Sequence, residues 1–410
     1  MNTLFASNCR VILLALCLLI GGFRSQITAQ DKAVEPVKQE KKWYETIQLR
    51  GYLQFRYNRL LETNSKLRCE QCDRSWGENG GFFIRRARLV FSGYIHKNVY
   101  FYIQPDLAIN ASSNSQHYFQ IRDAYFDIGF DADNTFKLRL GQSKVPFGFE
   151  NLQSSQVRLA LDRADGINAA VANERDMGAF LYYAPKTVKE LFSKLVKDGL
   201  KGSGDYGIFA FGLYNGQTAN RPELNNKPHW VARVSYPIKL GNQIIEPAAQ
   251  MYRGSYVMNT DQLSNGVKYY TDRSYTDRQT AFSMVLYPQP FGIQAEYHYG
   301  RGPRYNPVSD SITVQDVKGG YVLVSYKSQV SGMTIIPFTR YQFLDGGKKL
   351  ELDARSHTVR ELELGAELQL SKSLEITAEY VFSSRRFEDH NNRDNLQKGR
   401  LLRLQAQINF

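Results

Sequence analysis

From Thr46 the chain alternates. In TIQLRGYLQFRYN, residues Ile47, Leu49, Leu53, Phe55 and Tyr57 fall on one side of an extended chain, and Gln48, Arg50, Tyr52, Gln54, Arg56 and Asn58 on the other. A period of two marks a strand whose faces meet different surroundings. FIRRARLVFSGYI repeats it, with Ala87, Leu89, Phe91 and Ile95 opposite Arg86, Arg88, Ser92 and Tyr94. Arg85 interrupts the apolar face at its end, where a long cationic side chain is expected to snorkel to a rim. The pattern closes the chain: Leu402, Leu404, Ala406, Ile408 and Phe410 alternate with Arg403, Gln405, Gln407 and Asn409. Tyr 26 and Phe 24 would make an ordinary chain hydrophobic, yet mean hydropathy is −0.43, so the apolar residues are dispersed among polar ones. Beyond the N-terminal segment no apolar run reaches the ~18 residues of a membrane helix. Strands that hide their hydrophobicity in alternation cross membranes as closed barrels.

Segments of this kind recur about sixteen times, each of a length suited to a tilted crossing. The expected fold is all-β, a transmembrane antiparallel β-barrel of about sixteen strands over residues 46–410. Tight turns such as His96 to Asn98, Leu240 to Asn242 and Gln329 to Ser331 alternate with long connectors at 60–81, 146–173, 216–228, 258–278, 302–316, 345–357 and 385–398. Short periplasmic turns and longer external loops are the rule for such barrels. Lys186 to Gly204 breaks it: the spacing of Val188, Leu191, Phe192 and Leu195 predicts a small amphipathic helix at the periplasmic mouth.

Residues 1–30, with Arg10 ahead of VILLALCLLIGGF and small residues before Asp31, read as an export signal peptide, and 31–45 as a polar periplasmic lead-in. Without Arg10 and Arg24 of that signal the formal net charge falls from +12 to +10, a balance that points to anionic partners, and export makes nucleic acid an unsuitable one. Cys69 and Cys72, spaced CEQC in the first external loop, most simply form one local disulfide. No further ligand stands near them, so no metal site or cofactor is expected. No GxSxG or HExxH occurs, and Asp389-His390 is the one adjacent acid and histidine pair, so catalysis is not expected.

The stretch Lys137 to Arg175 runs a strand into a long basic loop, read as pore wall turning into the plug that narrows the pore. Parity places Arg50, Arg56, Arg86, Arg88, Lys137, Arg139, Arg233, Arg340 and Arg403 in the lumen, with Lys144 where the chain leaves the wall. Lys144, Arg158, Arg163 and Arg175 would set the constriction charge against Asp162, Asp165, Glu174 and Asp176. Asp123 and Asp127 face inward as partners for the Arg86 and Arg88 strand. Glu361, Glu363, Glu367, Glu375 and Glu379 also face inward, making one wall basic and another acidic. Rings of Arg or Lys favour anions, whereas two opposed walls suit a general diffusion pore with a transverse field. A non-conducting structural barrel would fill its lumen with apolar residues.

The segments FIRRARLVFSG at 83–93, RDAYFDI at 122–128, GQSKVPFGFE at 141–150, ERDMG at 174–178, YNG at 214–216, ARVSYP at 232–237 and PFTRYQFLDGG at 337–347 resemble the phosphate-selective porin O and P family. That resemblance implies a homotrimer of sixteen-stranded barrels in an outer membrane, an inward-folded third external loop, and passage of small anions such as phosphate along lumenal Arg and Lys.

Overall fold

The computed structural model describes residues 42–61, 81–109 and 117–410. The expected signal peptide, most of the lead-in, and Cys69 and Cys72 with their disulfide lie outside the described residues. The strands are β1 (Gln48–Leu61), β2 (Gly81–His96), β3 (Val99–Ile109), β4 (His117–Gly129), β5 (Phe136–Lys144), β6 (Arg175–Tyr183), β7 (Phe209–Tyr214), β8 (His229–Ser235, resumed at Ile238–Leu240) and β9 (Gln243–Val257). They continue with β10 (Ser274–Leu286), β11 (Phe291–Asn306), β12 (Ser311–Tyr326, resumed at Ser328–Val330), β13 (Met333–Gly347), β14 (Ser356–Gln369), β15 (Leu374–Glu388) and β16 (Leu396–Asn409). Each is antiparallel to its chain neighbours, and β1 pairs with both β2 and β16, so the sheet closes and no edge is left. The seam runs to the last residue, where Gly51 and Phe410 exchange backbone hydrogen bonds of 2.8 and 3.0 Å.

Outward positions carry Leu49, Phe91, Ile103, Phe126, Leu213, Met251, Phe282, Val322, Leu364 and Ile376, all exposed, as a lipid-facing band. At the turn end the band is edged by Phe130, Phe136, Tyr236, Phe291 and Tyr326, an aromatic girdle. The strands rise higher than alternation alone predicts. β11 and β12 pair from Phe291↔Tyr326 up to Asn306↔Ser311, so the connector expected at 302–316 shrinks to residues 307–310. Tyr305 and Ile312 pack there with Tyr256, Met258 and Tyr275, a small core that extends the sheet above the lipid.

Two β-bulges alter which side chains reach the lumen. Between β1 and β2 the register passes from Gln54↔Arg86 to Phe55↔Ile84, leaving Arg85 as the extra residue. Between β3 and β4 it passes from Gln104↔Asp123 to Pro105↔Ile121, leaving Arg122 extra. A bulge sets two residues against one and re-aims a side chain. Arg85, expected at a lipid-side rim, therefore turns inward, where it meets Asp162.

Two inserts occupy the lumen. Residues 145–174, between β5 and β6, carry helices α1 (Phe149–Leu152) and α2 (Asp165–Ala170) and fold into the barrel. Val145, Phe147, Ala170 and Val171 pack on Phe180, Ala210, Val231 and Ala281 of the inner wall, and Leu159, Ala160, Ala164 and Ile167 on Tyr321, Leu323, Ile336 and Phe338. Gly166 crosses β12 at Gly319 and Gly320 so closely that a Cβ on Gly166 would lie 2.8 Å from the Gly320 nitrogen. From the other end comes α3 (Lys186–Lys197), the helix expected from its spacing. Val188, Phe192 and Leu195 pack against Ile244, Val285 and Tyr287 of the wall and against Phe149 of the loop. The inner wall thus carries apolar patches along β6 to β13 where these inserts pack, with buried polar groups such as Glu296, Arg340 and Gln342 among them.

Candidate functional site

Burial and ion pairing divide the lumenal cations into two groups. On β13 to β16 each arginine is consumed in holding the loop. Arg340, fully buried, donates to Glu363 at 2.8 Å, to Glu150 of the loop at 2.6 Å and to the Asp162 carbonyl at 2.8 Å. Arg385 joins Glu361 at 2.8 Å to Asp165 at 2.6 Å, and Lys348 takes the other Asp165 oxygen at 2.5 Å. Arg403 pairs with Glu379 and, at 2.6 Å, with Asp162. Lys201 meets Glu367 at 2.5 Å. The expected acidic wall is therefore interleaved with bases. Backbone amides complete the seat: Leu161 donates to Glu379 at 2.9 Å, and Phe149 and Glu150 donate to Glu296 at 2.6 and 2.7 Å.

On the opposite side, the β2 to β4 wall meets the loop directly, Arg88 donating to Ser155 Oγ at 3.0 Å and Arg85 pairing with Asp162 at 3.1 Å. Arg85, Arg86, Arg88 and Arg122 from the wall and Arg158, Arg163 and Arg175 from the loop and its root gather around four carboxylates, Asp106, Asp123, Asp162 and Glu174. Arg88 pairs with Asp106 at 3.0 Å and also donates to Tyr52 Oη at 2.8 Å. Arg175 grips Asp123 through two bonds of 2.9 Å and Glu174 at 2.6 Å, and Arg122 reaches Glu174 at 2.8 Å. Arg163 also pairs with Glu174. Among the described residues Arg86 has only a neutral partner, donating to Gln54 at 2.9 Å. Nε of Arg85, Arg88 and Arg122, and both Nε and Nη1 of Arg158, are buried without a hydrogen bond among the described residues. Arg158 is 6% exposed. Its burial, together with nearby Arg163, pulls its pKa down to about 9, so it keeps its charge at neutral pH while lacking the acceptors a buried cation needs.

Asp162 sits where the two groups meet, accepting from Arg56 at 2.9 Å, Arg85 at 3.1 Å and Arg403 at 2.6 Å. Burial opposes its charge, but Arg56, Arg85 and Arg403 outweigh burial and hold the carboxyl well below the usual carboxylate range.

The other expected residues take separate places. Lys144, expected with its ammonium in the constriction, instead donates to the carbonyls of Leu152 and Gln153 at 2.7 and 2.9 Å. It ties α1 to the wall, because the last carbonyls of a short helix have no partner of their own. Arg139 pairs with Asp127 at 2.7 Å, and Lys137 with Asp205 at 2.8 Å. Asp127 thus serves Arg139, and Asp123 serves Arg175, rather than Arg86 or Arg88. Arg233 is buried against Glu246 at 3.0 Å, behind residues 198–208. Asp165 and Asp176 leave the constriction: the first binds Arg385 and Lys348, the second accepts from the Thr218 amide at 3.0 Å. Asp389 and His390 turn to different partners, Arg355 at 2.7 Å and Asp310 at 2.9 Å. Arg85 and Arg122 were missed by parity. Their signal was a spacing of three between apolar residues, Ile84 to Ala87 and Ile121 to Ala124, where two was due.

The model of the phosphate-selective porin O and P family matches residues 65–410. The chain belongs to this family. It is an outer-membrane channel of a Gram-negative-type envelope. Among solved structures, the outer-membrane channel DcaP of Acinetobacter baumannii is similar at 15% identity, with a TM-score of 0.55 over 89% of this chain and 97% of the other. OmpF of Salmonella typhi, in complex with daunomycin, is similar at 11% identity, with a TM-score of 0.54 over 89% and 97%. At such identities these two speak for the fold alone. No curated protein sequence matches the chain.

Proposed function

We propose that the barrel passes small anions by diffusion and selects them between the β2 to β4 wall and the inserted loop. The observation that carries this reading is the excess of cations over carboxylates there, together with the orphaned nitrogens of buried Arg158. Fixed cations beside a narrow aqueous path raise local anion concentration and exclude cations. Guanidinium groups suit oxyanions because their planar forks donate pairs of hydrogen bonds. Phosphate and related oxyanions are the cargo this chemistry favours, and a homotrimer is the assembly expected from the family. The transverse-field alternative is weakened by the pairing of Glu363, Glu361 and Glu379 with Arg340, Arg385 and Arg403.

The test is the reversal potential of single channels in a planar bilayer under a KCl gradient, followed by titration of phosphate against the chloride current. Anion preference, and block by phosphate that weakens in Arg158→Gln, are the expected results. A potential of cation-selective sign overturns the proposal.

A further inference from the structure

Below the constriction a cavity of about 900 Å³ opens toward the periplasmic turns, bounded by β1 to β5, by α3 and by residues 198–206. Its lining shares Arg88, Asp123 and Arg175 with the arginine-rich gap above it and adds aromatic surface to them. Six tyrosines, Tyr52, Tyr94, Tyr100, Tyr102, Tyr125 and Tyr206, reach a surface where a simple aqueous pore would carry small polar side chains.

Four of the groups form a column. Tyr102 and Tyr125 stack with centroids 5.1 Å apart and planes 10° from parallel; Arg139 lies 3.8 Å over the outer face of Tyr125, and Arg50 is 5.9 Å from Tyr102. The two ends differ. Arg139 is neutralised by Asp127 through bonds of 2.7 and 2.9 Å, whereas Arg50 is exposed to the cavity and has no carboxylate partner among the described residues. With their faces covered, the column tyrosines present edges and hydroxyls. The hydroxyls of Tyr94, Tyr100, Tyr125 and Tyr206 make no hydrogen bond to the protein among the described residues. Open ring surface comes from Tyr94, 49% exposed and 5.0 Å from Tyr100. Side-chain amides of Asn98, Gln156 and Gln329 complete the rim.

This inventory of one free guanidinium, uncommitted phenols, the amide oxygens of Asn98 and Gln156, the Gln329 amide and an open aromatic face, in a volume suited to a drug-sized molecule, is too large and too varied for an inorganic oxyanion. We infer that the vestibule is a second binding site, reached from the periplasmic side, for a hydroxylated ring bearing an anionic group, the chemistry of a sugar phosphate. Arg50 takes the anionic group, Tyr94 receives the apolar face of the ring, and the phenols and amides take its hydroxyls. Occupied, the site fills the lumen below the constriction and halts the current.

Two measurements on the full-length protein test this. Equilibrium dialysis of labelled glucose 6-phosphate against the detergent-solubilised barrel reads binding without reference to conduction. Side-specific addition in a bilayer reads the effect on chloride current. Expected are binding at least about tenfold tighter than for inorganic phosphate or for glucose, the loss in either case of one charge-assisted or several neutral hydrogen bonds, and block from the periplasmic side only. Arg50→Gln should cut binding by about tenfold. Tyr94→Ala, on an open surface where nothing packs against it from above, should weaken the sugar phosphate but leave phosphate unchanged. Equal binding of inorganic phosphate and glucose 6-phosphate overturns the inference, as does benzoate binding as well as the sugar phosphate, which would mean that ring stacking alone is read. Anion selectivity lost while dialysis still reports binding would sink the proposed function and leave this site standing.

Discussion

The β13 to β16 wall and the β2 to β4 wall both line the lumen with arginine, and they use it differently. On the first, Arg340, Arg385 and Arg403 each stand beside a wall glutamate and a loop carboxylate, so their charge is spent in position. On the second, Arg86 meets an amide and Arg158 faces it with nitrogens unsatisfied. The difference teaches that a basic lumen is not one property. An arginine with two carboxylates is an anchor; an arginine with none is a field.

The comparison is broken most directly at Asp162, which both walls share. Asp162→Asn leaves Arg56, Arg85 and Arg403 short of a counter-charge, and uncompensated buried charge costs about 3–5 kcal/mol. Heat-dissociation temperature should fall, and single-channel conductance should rise as the loop loosens; an unchanged melting profile would show that the anchoring wall does not depend on this carboxylate.

The field side is probed by Arg86→Glu and by Arg158→Glu. Each should lower the anion-to-cation permeability ratio by about fivefold or more at 0.1 M salt and only slightly at 1 M, where screening shortens to about 3 Å. If thermal stability drops as far as in Asp162→Asn while selectivity holds, these residues are anchors too and the contrast is lost.

Lys144 sharpens the line between the groups. Because its ammonium holds two loop carbonyls, Lys144→Met should lower heat stability more than it changes the reversal potential. The opposite ranking would return Lys144 to the constriction.

The smallest effect concerns pH. Asp162 is held well below its ordinary pKa, so the stability it contributes is present above the unfolded value of about 3.9 and is lost only as pH falls through the depressed folded value. Lowering pH from 8 to 5 should therefore leave Asp162 ionised, and the difference in heat stability between Asp162→Asn and the unchanged protein should hold across that range.

The barrel was legible because lipid and water impose a period of two on nearly every strand, and the inserted loop because a strand there runs into a connector far longer than an ordinary hairpin loop. The particular contacts were not legible. Parity says that Arg340 and Arg86 both face inward, but not that Glu150 and Glu363 await the first and Gln54 the second, since those partners come from distant parts of the chain. Lys144 was misplaced for the same reason: its acceptors are carbonyls, and carbonyls leave no mark in a sequence. The strands above the lipid, as at Asn306↔Ser311, were read as loop because alternation fades where both faces meet protein or water.

The bulges at Arg85 and Arg122 bear on how such a channel can diversify. An extra residue in one strand changes the facing of a single side chain and restores the pairing within a residue or two, so the lipid-facing band above and below is untouched. Lumenal charge and membrane fit are thereby placed under separate control. One inserted codon is enough to retune the first without asking anything of the second.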